Sequence, residues 1–423
     1  MAEAGKRRNM IGDAIRVSSG NFLEMYDFMV FGYYASAIGK AFFPSASPLN
    51  ALLLALMTFG AGFLMRPLGA IVLGIYTDRI GRRKGLILTL ALMSIGTLLL
   101  ALVPGYGQIG LLAPVLVLCG RLLQGFSAGV ELGSVSVYLA EMASPKTKGF
   151  WVSWQSASQQ LAVMFAAFLG VLLNRFLSVS QVDAWGWRIP LLIGLSLVPM
   201  LFVLRRSLRE TDEFAARTAH PTASEIGRTL AQNAGVIVTG MAMVMMTTIC
   251  FYLITAYTPT FGKEVLHLDP TATMIVTMCV GASNLFWLPL SGALSDRIGR
   301  KPILLATSVL AIASAYPVML WLTSAPSFGR LLAAELWLSF IFGTYNGANV
   351  VYLTEIVPPR VRASGFSLAY SLATCIGGFT PAICTWLIER THNKAMPGVW
   401  LSIAATIALG AILISKPYAE RTP

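Results

Sequence analysis

Asn21, Glu24 and Asp27 recur at every third residue inside an otherwise apolar stretch near the start of the chain. On a helix this spacing covers one broad face. From a start near Val17, a rise of ~1.5 Å per residue puts Asp27 about 15 Å along the axis. A second apolar stretch carries Arg121, Gln124, Ser127 and Glu131. At about 100° per residue, Arg121, Gln124 and Glu131 fall within a wedge of roughly 80°. Arg66 stands inside a third such stretch. A guanidinium meets a carboxylate as a two-pronged fork and stays protonated in proteins. A carboxyl taken out of water resists ionisation, while a neighbouring Arg opposes that resistance, so acids beside cations can exchange protons near neutrality. The chemistry on offer is anion binding at Arg66 and Arg121, with proton exchange at Asp27, Glu131 and Glu24. Internal neutralisation of the two cations by these acids is the competing reading, and the two arrangements can alternate in time.

The elements that must position these groups are set by composition. Only 12% of the 423 residues are charged and 56% are hydrophobic, against about 25% charged in soluble domains. That much apolar surface fits many lipid-facing helices of roughly 20 residues each. Hydrophobic segments are read at 17–39, 50–76, 85–104, 111–140, 151–174 and 187–206. Six more are read at 229–261, 271–293, 302–323, 330–355, 364–389 and 397–415. The one long charged connection, 207–228, divides the chain into an N-terminal six-helix bundle (1–206) and a C-terminal one (229–423). The net charge of +12 does not indicate nucleic acid, because most of the Lys and Arg gather in alternate loops. Lys6, Arg7, Arg8, Arg79, Arg82, Arg83, Lys84, Arg297, Arg300 and Lys301 are among them. This asymmetry places both termini in the cytoplasm. No cleavable leader is expected, since Glu24 and Asp27 interrupt the first apolar segment. The five cysteines all fall in apolar segments without a CxxC pair and read as free thiols. No P-loop, HExxH or nucleophile elbow is present, and neither a metal nor a cofactor is expected.

Charges at membrane depth are costly and mark pathways for ions or substrates. Neutral hydrogen-bonding groups complete the candidate set: Gln155, Ser158 and Gln159 in the fifth segment, Tyr345, Asn346 and Asn349 in the tenth, and Ser371 in the eleventh. Tyr252, Tyr257, Thr258, Tyr370 and Thr374 are weaker candidates, equally at home in helix packing. Glu335 is expected to pair with Arg330. His220, His267 and His392 fall in loops and are unsuited to a proton relay. Gly125, Gly129 and Gly133 form a stripe fitted to close helix contact.

The chain repeats itself. Gly74, Asp78, Arg79, Ile80, Gly81 and Arg82 return as Gly292, Asp296, Arg297, Ile298, Gly299 and Arg300, an offset of 218 residues. Tyr138, Leu139, Glu141 and Pro145 return as Tyr352, Leu353, Glu355 and Pro359, an offset of 214 residues. On these motifs the chain resembles the major facilitator superfamily. Three further stretches resemble its metabolite–proton symporter group, and within it the citrate and tricarballylate symporters: Gly20-Asn21-Phe22-Leu23-Glu24-Met25-Tyr26-Asp27-Phe28, Arg66-Pro67-Leu68-Gly69 and Arg121 to Glu131. Val130 stands where that group usually has Gly. The resemblance implies an all-α membrane protein of twelve transmembrane helices in two pseudo-symmetric six-helix bundles. It also implies proton-coupled symport of a small polycarboxylate, with α-ketoglutarate or another dicarboxylate, shikimate or betaine as alternative cargo. In that family Asp78, Arg79, Arg82, Asp296, Arg297 and Arg300 act as a gate, the Asp capping a helix end and pairing with Arg. A multi-pass monomer of the bacterial inner membrane is the expected setting.

Overall fold

The computed structural model describes residues 21–45, 47–80, 82–129, 131–206, 228, 231–358 and 362–418. Among these residues there is no strand. Twelve helical spans follow one another. Helix α1 covers 21–33 and, past a break at Tyr34, Ala35–Phe42. Helix α2 is Pro48–Leu64 continued by Arg66–Ile80, α3 is Arg82–Leu102, and α4 is Leu112–Ala128 continued by Glu131–Met142. Helix α5 is Lys148–Phe176 and α6 is Arg188–Arg206. In the second bundle α7 is Ala234–Tyr252, prolonged by widened π turns at Leu253–Tyr257 and Phe261–Val265. Helix α8 is Pro270–Ile298, α9 is Arg300–Ser324 and α10 is Phe328–Ile356. Helix α11 is Arg362–Gly377 continued by Thr380–Thr391, and α12 is Met396–Ile414.

Local chemistry sets several of these boundaries. Asp269 accepts a hydrogen bond from the Ala272 amide at 2.8 Å, and Pro270, which has no amide hydrogen to satisfy, opens α8. Ser327 accepts from the Arg330 amide at 3.3 Å at the start of α10. Gly299, at φ 88°, turns α8 into α9 in a conformation that favours glycine.

Among the described residues, seven helices are long and apolar enough to cross a membrane, or eight if the bent pair at Val179–Gly186 and Arg188–Val203 is one span. Helices α1, α3, α4 and α10 fall outside that set, and among them they carry Asn21, Glu24, Asp27, Arg121, Gln124, Glu335, Tyr345, Asn346 and Asn349. Large apolar side chains such as Leu64, Met200, Val203, Phe286 and Ile414 face outward, while Arg121, Gln124 and Asn349 are fully buried. An apolar exterior with the buried charges held inside suits a bilayer, and helices satisfy their backbone groups internally. The protein is a multi-pass membrane protein.

Small residues let the helices that carry charge approach each other. A Cβ at Gly125 would strike the Gly62 carbonyl, and one at Gly129 the Arg66 carbonyl, so α4 lies directly on α2. Helix α5 lies along α8, where Gly149 meets the Gly292 carbonyl, and the two bundles touch along this seam.

Candidate functional site

Three helices of the first bundle bring the candidate charges together. Arg66 opens the second segment of α2 and donates to Glu24 of α1 at 2.7 Å, both groups being buried. Its guanidinium lies 4.8 Å from the Phe63 ring centre and 5.0 Å from that of Phe28. Arg121 of α4 is wholly buried. It donates to Gln124 Oε1 at 2.8 Å and to the Phe59 carbonyl at 3.3 Å. The rings of Phe28, Phe31 and Phe59 lie 4.4, 4.7 and 5.2 Å from its charge. Aromatic faces stabilise a desolvated cation, more strongly as water is excluded. Gln124 Nε2 donates to Thr97 Oγ1 at 3.0 Å, and the Thr97 hydroxyl donates to Asp27. Arg121, Gln124, Thr97 and Asp27 thus form one chain of polar contacts running from cation to acid.

The second bundle supplies neutral groups. Tyr345 donates to the Met243 carbonyl at 2.9 Å, and Asn349 donates to Thr247 at 3.1 Å, both across α10 and α7. Tyr252 of α7 packs its ring on Phe63 and Phe59, at 5.0 and 5.9 Å between centres. Through these rings the second bundle lies against the aromatic shell around the two arginines.

Buried polar atoms normally have partners, and those that lack one call for an explanation. Here both side-chain polar atoms of Asn21 and of Asn346 have none. Asp27 Oδ1, Asn349 Oδ1, Gln155 Nε2, Arg66 Nε and Arg121 Nε are in the same position. All seven residues belong to the set read from sequence. Gln159 and Ser371 are buried as well, without a contact that joins them to the arginines.

Several expectations change. Helix α4 is described over Leu112–Ala128 and again from Glu131, and Gly129 between them keeps right-handed helical dihedrals, φ -63° and ψ -25°. The Glu131 side chain itself lies outside the described ones. Glu335 does not pair with Arg330. Its Oε1 lies 3.0 Å from the Thr258 hydroxyl, within hydrogen-bond distance, whereas Arg330 sits at the exposed end of α10 and donates to the Trp321 carbonyl and to Ser324, each at 2.9 Å. The physical reason is depth, because Glu335 is buried one and a half turns further in. Tyr257 is occupied by Thr385 at 2.9 Å, a packing contact. His267 and His392 sit at turns with φ 55°, and His220 lies outside the described residues. The five cysteines are free.

The gate residues divide. Asp78, Arg79 and Arg82 lie on helices, with their side chains outside the described ones. In the second copy of the motif, Asp296 accepts from the Gly149 and Phe150 amides at 2.8 and 3.1 Å and pairs with Arg300 at 2.7 Å. One carboxylate from α8 therefore caps the first turn of α5 in the other bundle, where free amides and the helix dipole favour negative charge. Arg300 also reaches Glu355 at 3.3 Å, while Arg297 is exposed. At the opposite membrane side Asp183 meets Lys40 at 2.6 Å and Lys263 at 3.5 Å, and Thr260 donates to the Gly32 carbonyl at 3.3 Å. The bundles hold each other on both sides.

Thr97 and Gln160 escaped the sequence reading. Asn284 of α8 donates to Gln160 of α5 at 3.1 Å and accepts from Ser339 of α10 at 2.7 Å, bridging the bundles. A lone Thr in an apolar run gives no signal, and Gln160 lies beside the glutamines that the sequence did single out, Gln155 and Gln159. The aromatic pair Phe59 and Phe63, one turn apart, could have been found by its spacing beside Arg66.

The profile of the family described as "Sugar (and other) transporter" matches residues 14–417. The citrate-proton symporter of Klebsiella pneumoniae is 57% identical over 410 residues, which cover 97% of this chain and 92% of that protein. The citrate-proton symporter of Salmonella typhi is 56% identical over 409 residues, covering 96% and 94%. A solved structure of the major facilitator superfamily proton:xylose symporter XylE superposes with a TM-score of 0.75 at 18% identity, covering 96% of this chain and 94% of that one.

Proposed function

The chain belongs to the sugar (and other) transporter family, with the major facilitator fold, and from that premise we propose that it is a proton-coupled symporter that carries citrate into the cell. Its full-length likeness to citrate-proton symporters supports the cargo. The observation that carries the mechanism is the pair of buried arginines held among Glu24, Asp27 and Gln124. A tricarboxylate needs more than one fixed positive charge, and Arg66 and Arg121 supply two at neighbouring positions.

In this state the cations are satisfied from within: Glu24 neutralises Arg66, and Arg121 rests on Gln124 and the Phe59 carbonyl. Protonation of Glu24 frees the Arg66 guanidinium, protonation of Asp27 alters the Thr97–Gln124 link that leads to Arg121, and carboxylate oxygens of the cargo take up the places given up. Glu131 is the third proposed proton carrier. Asn21, Gln124, Gln155, Gln159, Tyr345, Asn346, Asn349 and Ser371 hold the hydroxyl and the remaining carboxylate oxygens. A partly loaded carrier leaves a buried charge unpaired, which opposes reorientation, so cargo and protons travel together by alternating access. Asp296 and Arg300, with Arg297 beside them and the matching Asp78, Arg79 and Arg82, form the cytoplasmic gate.

The boundaries proposed are a first bundle over 1–206, a cytoplasmic linker over 207–228 and a second bundle over 229–423. The carrier is placed in the bacterial inner membrane with both termini cytoplasmic, working as a monomer and catalysing no covalent reaction. Uptake of labelled citrate into proteoliposomes tests the reading. Accumulation is expected when the outside is more acidic, with competition by tricarballylate. Uptake indifferent to the pH gradient, or competition by betaine or shikimate in place of tricarboxylates, contradicts it.

A further inference from the structure

One buried carboxyl has no place in the scheme above. Glu335 is 3% exposed and lies seven residues into α10, about 10 Å along at ~1.5 Å per residue. Its Oε1 is 3.0 Å from the Thr258 hydroxyl, and its Oε2 has no hydrogen-bond partner. Among the described residues no Lys or Arg forms an ion pair with it. The contrast with Glu24, locked to Arg66, is direct.

Among the described residues, the groups that neighbouring helices place against this part of α10 are neutral. Helix α7 presents Thr258 and the Cys250 thiol, whose Sγ lies 3.8 Å from the Leu338 carbonyl. Helix α8 presents Asn284 to Ser339, one turn beyond Glu335, and α9 presents Ser314 to Trp337. An ionised carboxyl without a cation at membrane depth is strongly disfavoured.

Proton counting at Thr258 points the same way. Its hydroxyl has two acceptors within reach, Glu335 Oε1 at 3.0 Å and the Leu253 carbonyl at 3.3 Å, and one proton to give. A neutral Glu335 donates its own proton to Thr258 Oγ1, and the Thr258 proton then serves the Leu253 carbonyl. Both bonds form and no charge is buried.

Thr258 sits between the two π turns of α7, and Thr260, two residues on, donates to the Gly32 carbonyl of α1 at 3.3 Å. Regular helix is interrupted here, as at many functional segments. The stretch that contacts Glu335 is therefore also a stretch by which the second bundle holds the first.

We propose that Glu335 is a proton-binding site of the second bundle, separate from the acids around the arginines, and that its neutral form closes this side of the carrier by fixing the Thr258 segment against α1. An O–H bond forms on Glu335 from solvent while the side is open, and breaks back to water when the segment moves away. The proposal rests on the symporter reading for its role in the cycle but not for its chemistry. Two readouts separate them.

The first is citrate exchange in proteoliposomes at equal pH on both sides, scanned toward alkaline pH. Glu335→Gln, a permanent mimic of the neutral acid, is expected to retain several-fold more of its neutral-pH rate at the alkaline end than the wild type, with Glu335→Asp restoring the fall. Identical alkaline falls in wild type and Gln variant overturn the proposal, as does a rate governed by sodium in place of pH. The second is the infrared carbonyl stretch of a buried neutral carboxyl, which needs no cargo. At neutral pH the wild type is expected to show a band that shifts in Glu335→Asp and is missing in Glu335→Gln. A Glu335 found ionised at neutral pH overturns the proposal even if citrate is carried. Absence of citrate exchange by the wild type removes the symporter reading and leaves the infrared test standing.

Discussion

In the first bundle the polar interior is ionic: two guanidinium groups, Glu24 and Asp27 are wrapped in Phe28, Phe31, Phe59 and Phe63. In the second, among the described residues, it is neutral apart from Glu335: Tyr345 and Asn349 donate to the Met243 carbonyl and the Thr247 hydroxyl of α7, and Asn346 is buried without a partner. On the proposed reading, the two six-helix units take different shares of one task. Fixed charge that stays on one bundle gives an anion a permanent anchor, and neutral donors on the other can form and release without burying an unpaired ion. A carrier that must let go of its cargo benefits from this asymmetry.

The contrast is broken most severely by removing a cation. Arg121→Ala takes away one partner of a buried charged contact, worth about 2–5 kcal/mol, so citrate affinity measured by calorimetry should fall by roughly two to three orders of magnitude. Arg121→Lys should recover little, because a point charge cannot replace the fork. Next come the acids. Glu24→Gln and Asp27→Asn keep shape and remove the exchangeable proton. Gradient-driven accumulation in proteoliposomes should collapse to simple equilibration, while citrate exchange stays within a few-fold. Accumulation equal to wild type in both variants would dismiss them as proton carriers.

A smaller effect is expected in the neutral bundle. Asn346→Ala and Asn349→Ala each remove one neutral hydrogen-bonding group, worth about 0.5–1.5 kcal/mol, so KM should rise roughly two- to tenfold with the dependence on the pH gradient intact. Loss of coupling in either variant would erase the division between the bundles. The smallest change concerns the latch. Asp296→Asn weakens the cap on α5, worth about 1 kcal/mol, and should move the population about fivefold toward opening at that side. Spin-label distances between the ends of α5 and α8 would record it.

The helices were legible because hydrophobic length and the doubled Gly-Asp-Gly motif each report on topology with little interference. The ionic site was legible for a related reason: Arg66, Arg121, Glu24 and Asp27 are conspicuous in apolar surroundings, and lipid leaves them few places to go. What escaped was pairing. Glu335 and Arg330 share a helix and opposite signs, yet their depths differ, and depth is decided by where Ser327 starts α10. Gly129 lets α4 press on the Arg66 backbone, a close approach that the sequence marks only by its stripe of glycines. Thr97 links Asp27 to Gln124 only because α3, α1 and α4 converge, a tertiary fact with no local trace.

The central claim is that acids beside the buried arginines take up protons as the cargo arrives. Proton uptake on adding citrate to the purified carrier, followed with an indicator dye in weakly buffered solution, tests it most directly. The wild type should draw protons from solution as citrate binds, and Asp27→Asn should draw measurably fewer at equal occupancy. Citrate binding with no proton uptake, or equal uptake in both proteins, would contradict it.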